Sequence, residues 1–195
     1  MTFRKVLPVV LLAGLLVAPA AQASYKVGVG EQSAAMFDSA RWQSLKLKRA
    51  RYLVPWTWNR RASSRAAVTT WMTRAHAARQ QVLVAFTARP GCYVRGRYSK
   101  RRACRAPSAR AYRASVRAFD AAFPWVKTYS AWNEVNHVSQ PTARKPRLAV
   151  RYYDVLRKLA RKRRFKVMAA DVLDTSNMRS YLRAFLRRAH GHPRL

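Results

Sequence analysis

The residues best suited to chemistry lie near the middle of the chain, in the segment Val126–His137. It begins as an apolar, β-rich run and ends in four polar side chains: Asn133, Glu134, Asn136 and His137. Glu134 is distinctive because the chain has only two glutamates, the other being Glu31. A carboxyl group beside amides and an imidazole can transfer a proton while its neighbours bind a polar substrate.

The elements that must position these side chains are five β-rich runs, each followed by a segment of helical periodicity. The predicted strands are Tyr25–Gly30, Ala50–Trp56, Gln81–Thr87, the run that begins at Val126, and Phe165–Leu173. No hairpin turn is predicted between successive strands. This alternation predicts an α/β fold with a parallel sheet and right-handed crossovers.

Local signals set the expected limits of the helices. Met36–Leu47 predicts a weak first helix, and Ser63 or Ser64 is expected to cap the second. Pro107–Ser108 is expected to open the third helix, which Pro124 ends.

Two architectures fit this pattern, a partial (β/α)8 (TIM) barrel and an open doubly wound sheet. Polar or aromatic residues follow most of the predicted strands: Glu31, Trp56 with Asn59, Asn133 with Glu134, and Asp171 with Asp174. In a barrel these strand ends converge on one pocket, which favours the barrel. The segment Gly28–Gly30 has two glycines but not the third that a dinucleotide-binding loop requires, so we expect no cofactor. We also expect no metal.

Strand ends of this kind suit the hydrolysis of glycosidic bonds. That reaction needs two carboxyl groups, hydrogen bonds to sugar hydroxyls and aromatic faces on which sugar rings can rest. Glu134 could be the acid and Asn133 a hydrogen-bonding group, with Trp56, Trp58 or Trp132 as the stacking surface. His137 is also expected to contact the substrate, a carbohydrate.

The segment Trp132-Asn133-Glu134, with Asn136, resembles the Asn-Glu signature that ends the fourth strand in the clan of retaining (β/α)8 glycoside hydrolases. The resemblance implies that Glu134 is the general acid/base and that Asn133 contacts the sugar 2-hydroxyl. Arg51 is similar to the second-strand arginine that supports the nucleophile in that clan. The resemblance covers Tyr25–Leu195, which corresponds to the first five β/α units.

One departure from the clan is large. Its nucleophile is a second glutamate at the end of the seventh strand, whereas Glu31, the other glutamate here, belongs to the first. We therefore expect the sequence to be a fragment or a truncated product, without appreciable glycosidase activity by itself.

The start of the chain predicts export. Arg4 and Lys5 precede the apolar run Val6–Val17, and Ala21–Ala23 supplies a small-x-small cleavage site. The apolar run is too short to span a membrane comfortably. We therefore expect residues 1–23 to be a signal peptide, followed by a secreted domain over residues 24–195.

The two cysteines, Cys92 and Cys104, lie in one basic segment after the third predicted strand. A lone pair in an exported chain usually forms a disulfide, and no further metal ligands are near. We expect the bond to close a surface loop.

The charge of the chain is extreme, with 40 basic and 7 acidic residues and a net charge of +33. Such a surplus favours contact with polyanions, although the basic residues are spread over every segment and no nucleic-acid motif is present. The alternative function is therefore a non-catalytic, basic secreted protein that binds anionic cell-wall polymers or nucleic acid.

Overall fold

A computed structural model describes residues 26–189, so the predicted signal peptide lies outside the described part of the chain. The strands of this part are β1 (Val29–Gly30), β2 (Arg49–Pro55), β3 (Gln81–Thr87), β4 (Tyr93–Val94), β5 (Arg97–Tyr98), β6 (Thr128–Ser130) and β7 (Lys166–Met168). The helices are α1 (Ala40–Ser44), α2 (Ala62–Ala77), α3 (Ala109–Ala122), α4 (Pro146–Arg163) and α5 (Met178–Leu186), with short 3-10 turns at Ala34–Asp38 and Arg102–Cys104.

Five strands form one parallel sheet, in the order β1-β2-β3-β6-β7. The predicted α/β fold with a parallel sheet and alternating helices is thus confirmed. The spatial order of these strands follows their order in the sequence, whereas a doubly wound sheet reverses its order at a switch point. The doubly wound alternative therefore does not fit the strands described here.

Aromatic side chains attach the helices to one face of this sheet. Tyr52 of β2 stacks on Trp71 of α2, with ring centroids 4.1 Å apart. Phe86 of β3 and Tyr129 of β6 both meet Phe119 of α3, at 5.9 and 6.2 Å. All five rings are buried, so this face of the sheet and the helices together form the core.

The opposite face of the sheet remains partly open to solvent. Successive side chains of a strand point to opposite faces, so Arg51 and Leu53 point away from the helices that cover Tyr52. Leu83 pairs with Arg51 in the sheet register and shares its face. These three side chains are only half-buried, and Met168 of β7 on the same face is exposed. The face that carries Arg51 is thus accessible.

The expected limits of α3 are confirmed, but those of the preceding helices are not. Ser108 caps α3 by accepting a hydrogen bond from the Ala111 N–H, and the helix ends before Pro124. Neither Ser63 nor Ser64 is a cap, because α2 begins one residue after Arg61 and both serines lie in its first turn.

The weak helix predicted over Met36–Leu47 is divided in two at Ser39. This residue is extended, with φ −72° and ψ 121°, and its hydroxyl accepts a hydrogen bond from the Trp42 N–H. A serine that bonds to the backbone in this way favours a helix start over a helix interior. The result is a 3-10 turn followed by α1.

The fifth predicted strand is also shorter than expected. Phe165–Leu173 contributes only Lys166–Met168 to the sheet. Beyond β7, the Leu173 N–H donates to the side-chain oxygen of Asn136 at 2.8 Å, and the backbone there leaves the sheet ladder.

The predicted disulfide between Cys92 and Cys104 is confirmed, and a disulfide fits an extracellular protein. The loop it closes contains the antiparallel hairpin β4-β5, which was not predicted, whereas the five predicted strands pair in parallel as expected. The turn of that hairpin, Arg95-Gly96, has positive φ at both residues, as type I′ turns require. Within residues 26–189, no helix combines the length and apolar character needed to cross a membrane.

The buried tyrosines predict how stability depends on alkaline pH. Burial raises the pKa of Tyr52 to about 12. It also raises the pKa of Tyr112, Tyr129, Tyr152 and Tyr181. The unfolded chain then releases phenolic protons from about pH 10, while the folded chain retains them, so stability falls as pH rises above 10.

Tyr52→Phe isolates this effect, because it removes the ionisable hydroxyl and keeps the stacked ring. Between pH 9 and pH 12 the variant should lose about 2 kcal/mol less unfolding free energy than the original protein. Urea unfolding followed by circular dichroism at each pH measures the difference. Equal losses in the two proteins would contradict the prediction.

Candidate functional site

The candidate site is organised around Arg51, which lies in the middle of β2 on the open face of the sheet. Its Nη2 group donates a hydrogen bond of 2.5 Å to Oδ1 of Asn133, which lies just beyond β6. The same group forms an ion pair with the carboxylate of Asp171, which lies just beyond β7. One guanidinium therefore joins side chains from three strands of the sheet.

The backbone around Asn133 is fixed from both sides. The Asn133 N–H donates to the carbonyl of Phe86 at 2.7 Å, and the Val135 N–H donates to the carbonyl of Asp171 at 2.8 Å. The Asn133 residue is 4% exposed. Its side-chain nitrogen makes no hydrogen bond with the described residues and remains available as a donor.

Glu134 sits between these two anchored residues with an unusual backbone. Its φ of 41° lies in the left-handed region, which costs a non-glycine residue about 1–2 kcal/mol. Strained residues of this kind cluster at functional sites. The other described non-glycine residues with positive φ follow helices or occupy the hairpin turn: Lys46, Arg79, Arg95 and Arg164. The Glu134 side chain is 32% exposed, so its carboxylate is accessible.

His137 completes the polar cluster. Its Nδ1 lies 3.8 Å from Oε2 of Glu134 and 2.8 Å from the hydroxyl of Ser139. The His137 N–H donates to the Glu134 carbonyl at 2.9 Å, which closes a tight turn. The ring of Tyr93 from the disulfide loop approaches the imidazole edge-on at 6.1 Å. The structure thus brings together four predicted site residues: Arg51, Asn133, Glu134 and His137.

Asn136 has a positioning role in this cluster. It is 1% exposed, and its Nδ2 donates to the Leu173 carbonyl at 2.8 Å and to Thr175 and Asn177 at 2.9 Å. These bonds fasten the segment after β7 to the segment after β6. They therefore help to hold Asp171 opposite Arg51.

The predicted tryptophans lie elsewhere. Trp56 lines a cavity of about 1100 Å³, and the Arg60 guanidinium lies 4.2 Å from its ring centroid. Trp58 is 4% exposed and packs against Phe119 and Phe123 in the core. Trp132 stacks on Tyr152 and is fully buried. Contact with a sugar remains a prediction for Trp56, whereas Trp58 and Trp132 are core residues.

Sequence reasoning missed several contributors. Asp171 is recognisable as a polar residue at a strand end, but Arg51, its partner, is 120 residues away in the sequence. Gln140 has no sequence signal, yet its side chain accepts a hydrogen bond from the Trp132 indole at 3.0 Å and contacts Thr87. Among residues 26–189, no three His, Cys, Asp or Glu side chains are grouped closely enough to hold a metal ion.

Comparison with known proteins assigns no family to the chain. No family model matches the sequence, and no curated protein matches it. The function must therefore be argued from the geometry of the cluster.

The bridge formed by Arg51 predicts a measurable loss of stability in Arg51→Gln. The side chains of Arg51 and Asp171 are 33% and 20% exposed, so this ion pair is neither fully exposed to solvent nor fully buried. Removing the cation leaves the Asp171 carboxylate partly buried and unpaired, so we expect a cost of about 1–3 kcal/mol.

Urea unfolding measures this cost, with Arg161→Gln as the matched control. Arg161 is exposed on α4 and pairs with no carboxylate of the described residues. The control carries the same charge change and should stay within about 0.5 kcal/mol of the original protein. Equal stabilities of the two variants would refute a structural role for the bridge.

Proposed function

We propose that this protein is an exported, glycoside hydrolase-like protein in which Glu134 is the general acid/base of a retaining reaction. The observation that carries the proposal is the strained, accessible Glu134 at the end of β6, beside an Asn133 that Arg51 orients. Carboxyl groups at the carboxyl ends of parallel strands are the usual catalytic groups of (β/α)8 enzymes.

The arrangement of the sheet supports a partial (β/α)8 barrel. Its five parallel strands follow one another in sequence order, and helices pack on the Tyr52 face. In a barrel the opposite face lines the interior. Arg51 lies on that face, which supports its assignment to the substrate side.

Each residue of the cluster has a part in the proposed reaction. In the proposed reaction Glu134 protonates the glycosidic oxygen of the leaving sugar, and the amide nitrogen of Asn133, whose oxygen is bonded to Arg51, donates to a sugar hydroxyl. The Nδ1 atom of His137 lies 3.8 Å from Oε2 of Glu134, so His137 is placed to pair with the carboxylate when the imidazole is protonated. Arg51 fixes the amide that orients the sugar.

A retaining reaction also needs a nucleophilic carboxylate about 5–5.5 Å from the acid. The other carboxylate of this cluster, Asp171, is held in an ion pair with Arg51. The resemblance assigns the nucleophile to the seventh strand of a complete barrel, whereas the parallel sheet of residues 26–189 has five strands. Because the Asp171 carboxylate is held by Arg51, we propose that these residues bind sugar without hydrolysing it.

Export is part of the proposal. The sequence features of residues 1–23 and the disulfide between Cys92 and Cys104 both support a secreted protein.

The alternative function is a non-catalytic secreted protein that binds anionic wall polymers or nucleic acid. The net charge of +33 favours it. Such binding weakens steeply as salt rises and does not depend on Glu134.

Sugar binding tests the first proposal. We expect Asn133→Ala to weaken binding of the best oligosaccharide in a calorimetric panel by about tenfold, because a hydrogen-bond donor is lost. Glu134→Gln should also alter the affinity. Gln81→Ala, which removes an exposed amide at the first position of β3, is the control and should bind normally. Binding that survives both site variants and collapses with salt would favour the polyanion alternative.

Turnover is tested separately with aryl glycosides. The purified protein should release no more aryl product than Glu134→Gln, since the carboxylate of Asp171 is held in an ion pair with Arg51. Release that exceeds buffer and disappears in Glu134→Gln would refute the predicted inactivity.

A further inference from the structure

A cavity lies at the carboxyl ends of β2 and β3, and its lining includes no residue of the Arg51 cluster. It measures about 1100 Å³ and is lined in part by Leu53 and Thr87. Leu53 lies two residues after Arg51 on the same face of β2, which corresponds to about 7 Å along the strand. Thr87 pairs with Pro55 in the register and shares that face. A ligand bound to the cluster could therefore extend into the cavity.

Apolar surface makes up most of the lining of this cavity, and its charged side chains are all cations. Five arginines contribute to it: Arg60, Arg61, Arg89, Arg102 and Arg105. Among residues 26–189, no acidic residue lines the cavity, and none of the five arginines forms an ion pair with a carboxylate. A cleft lined by charges of one sign concentrates their field and attracts the opposite charge.

Two connections supply these arginines. Arg60 and Arg61 lie between β2 and α2, whereas the other three lie between β3 and α3. The disulfide between Cys92 and Cys104 closes the second connection, and the Tyr98 hydroxyl donates to the Cys104 carbonyl at 2.8 Å. The covalent and hydrogen bonds restrain the backbone that presents Arg102 and Arg105. The disulfide-closed loop therefore holds the backbone of Arg102 and Arg105 in a defined position.

We propose that this cavity binds the carboxylate groups of an acidic saccharide, so that the substrate class is a uronic acid-containing glycan. This inference rests on the proposed function and deepens it. Guanidinium groups bind carboxylates through paired, charge-assisted hydrogen bonds. The cavity has about the size that accommodates a small ligand. A glycan held there would extend past Leu53 towards Arg51, which lies on the same face of β2.

Nucleic acid fits the same cavity less well. Proteins that bind single strands stack bases on exposed aromatic rings along an extended groove. The two aromatic residues of the described lining, Tyr52 and Trp56, are 5% and 8% exposed, and Arg60 lies over the Trp56 ring. The cavity thus offers cations without a stacking platform.

Calorimetry with an oligogalacturonate and its methyl-esterified form, at constant ionic strength, tests the inference. The ester keeps the sugar backbone and removes the negative charge, so it should bind about tenfold more weakly or worse. The double variant Arg89→Gln/Arg105→Gln should bind the acid about tenfold more weakly and the ester unchanged.

The matched control is Arg161→Gln/Arg187→Gln, which removes the same charge from exposed positions that do not line the cavity. It should bind both sugars like the original protein. Equal weakening by the two double variants, equal affinity for acid and ester, or no binding of the acid would overturn the inference. So would tighter binding of a single-stranded oligonucleotide that depends on the same two arginines.

The two proposals fail in different ways. If Asn133→Ala leaves oligogalacturonate binding unchanged while the cavity variant weakens it, the cavity inference stands and the proposed function fails. Far-ultraviolet circular dichroism of each variant establishes that it is folded before its affinity is compared.

Discussion

The contact on which the site depends is the bridge from the Arg51 guanidinium to Asn133 and Asp171. A cation in the middle of a strand must find partners when it is partly removed from water. Here the partners come from segments that follow two other strands of the same sheet. The bridge therefore couples the order of the strands to the positions of the side chains at their ends.

Glu134 directly follows Asn133, one of the two partners of Arg51, and the bonds on either side of it hold its backbone in place. Its left-handed backbone is unfavourable by itself, but the N–H groups of Asn133 and Val135 on either side are both bonded to neighbouring strand segments. Asn136 adds further bonds to the segment after β7. The strain is thus offset by several hydrogen bonds, and it directs an accessible carboxylate away from the core.

The surplus of positive charge has two consequences for this molecule. Seven acidic residues cannot neutralise 40 basic ones, and most arginines remain without a carboxylate partner. Where they are dispersed over helices, they are solvated and contribute little to specificity. Where the chain connections bring five of them to one cavity, their fields add, and this is the basis of the proposed anionic ligand.

Much of this protein was determined by the sequence alone, because the relevant signals are local. Strand-helix alternation predicted the parallel sheet, and the pairing of Cys92 with Cys104 followed from their number and spacing. The polar end of the Val126–His137 segment identified Asn133, Glu134 and His137 as neighbours. Ser108 and Pro124 correctly set the limits of α3.

Tertiary structure decided the rest, because those features depend on which distant residues come into contact. The partnership of Arg51 with Asp171 spans 120 residues, and no local pattern indicates it. The burial of Trp58 under α3, the shortness of β7 and the convergence of Arg60 with Arg105 are likewise set by packing. Arginines occur in every segment of the sequence, and the fold determines which of them line the cavity.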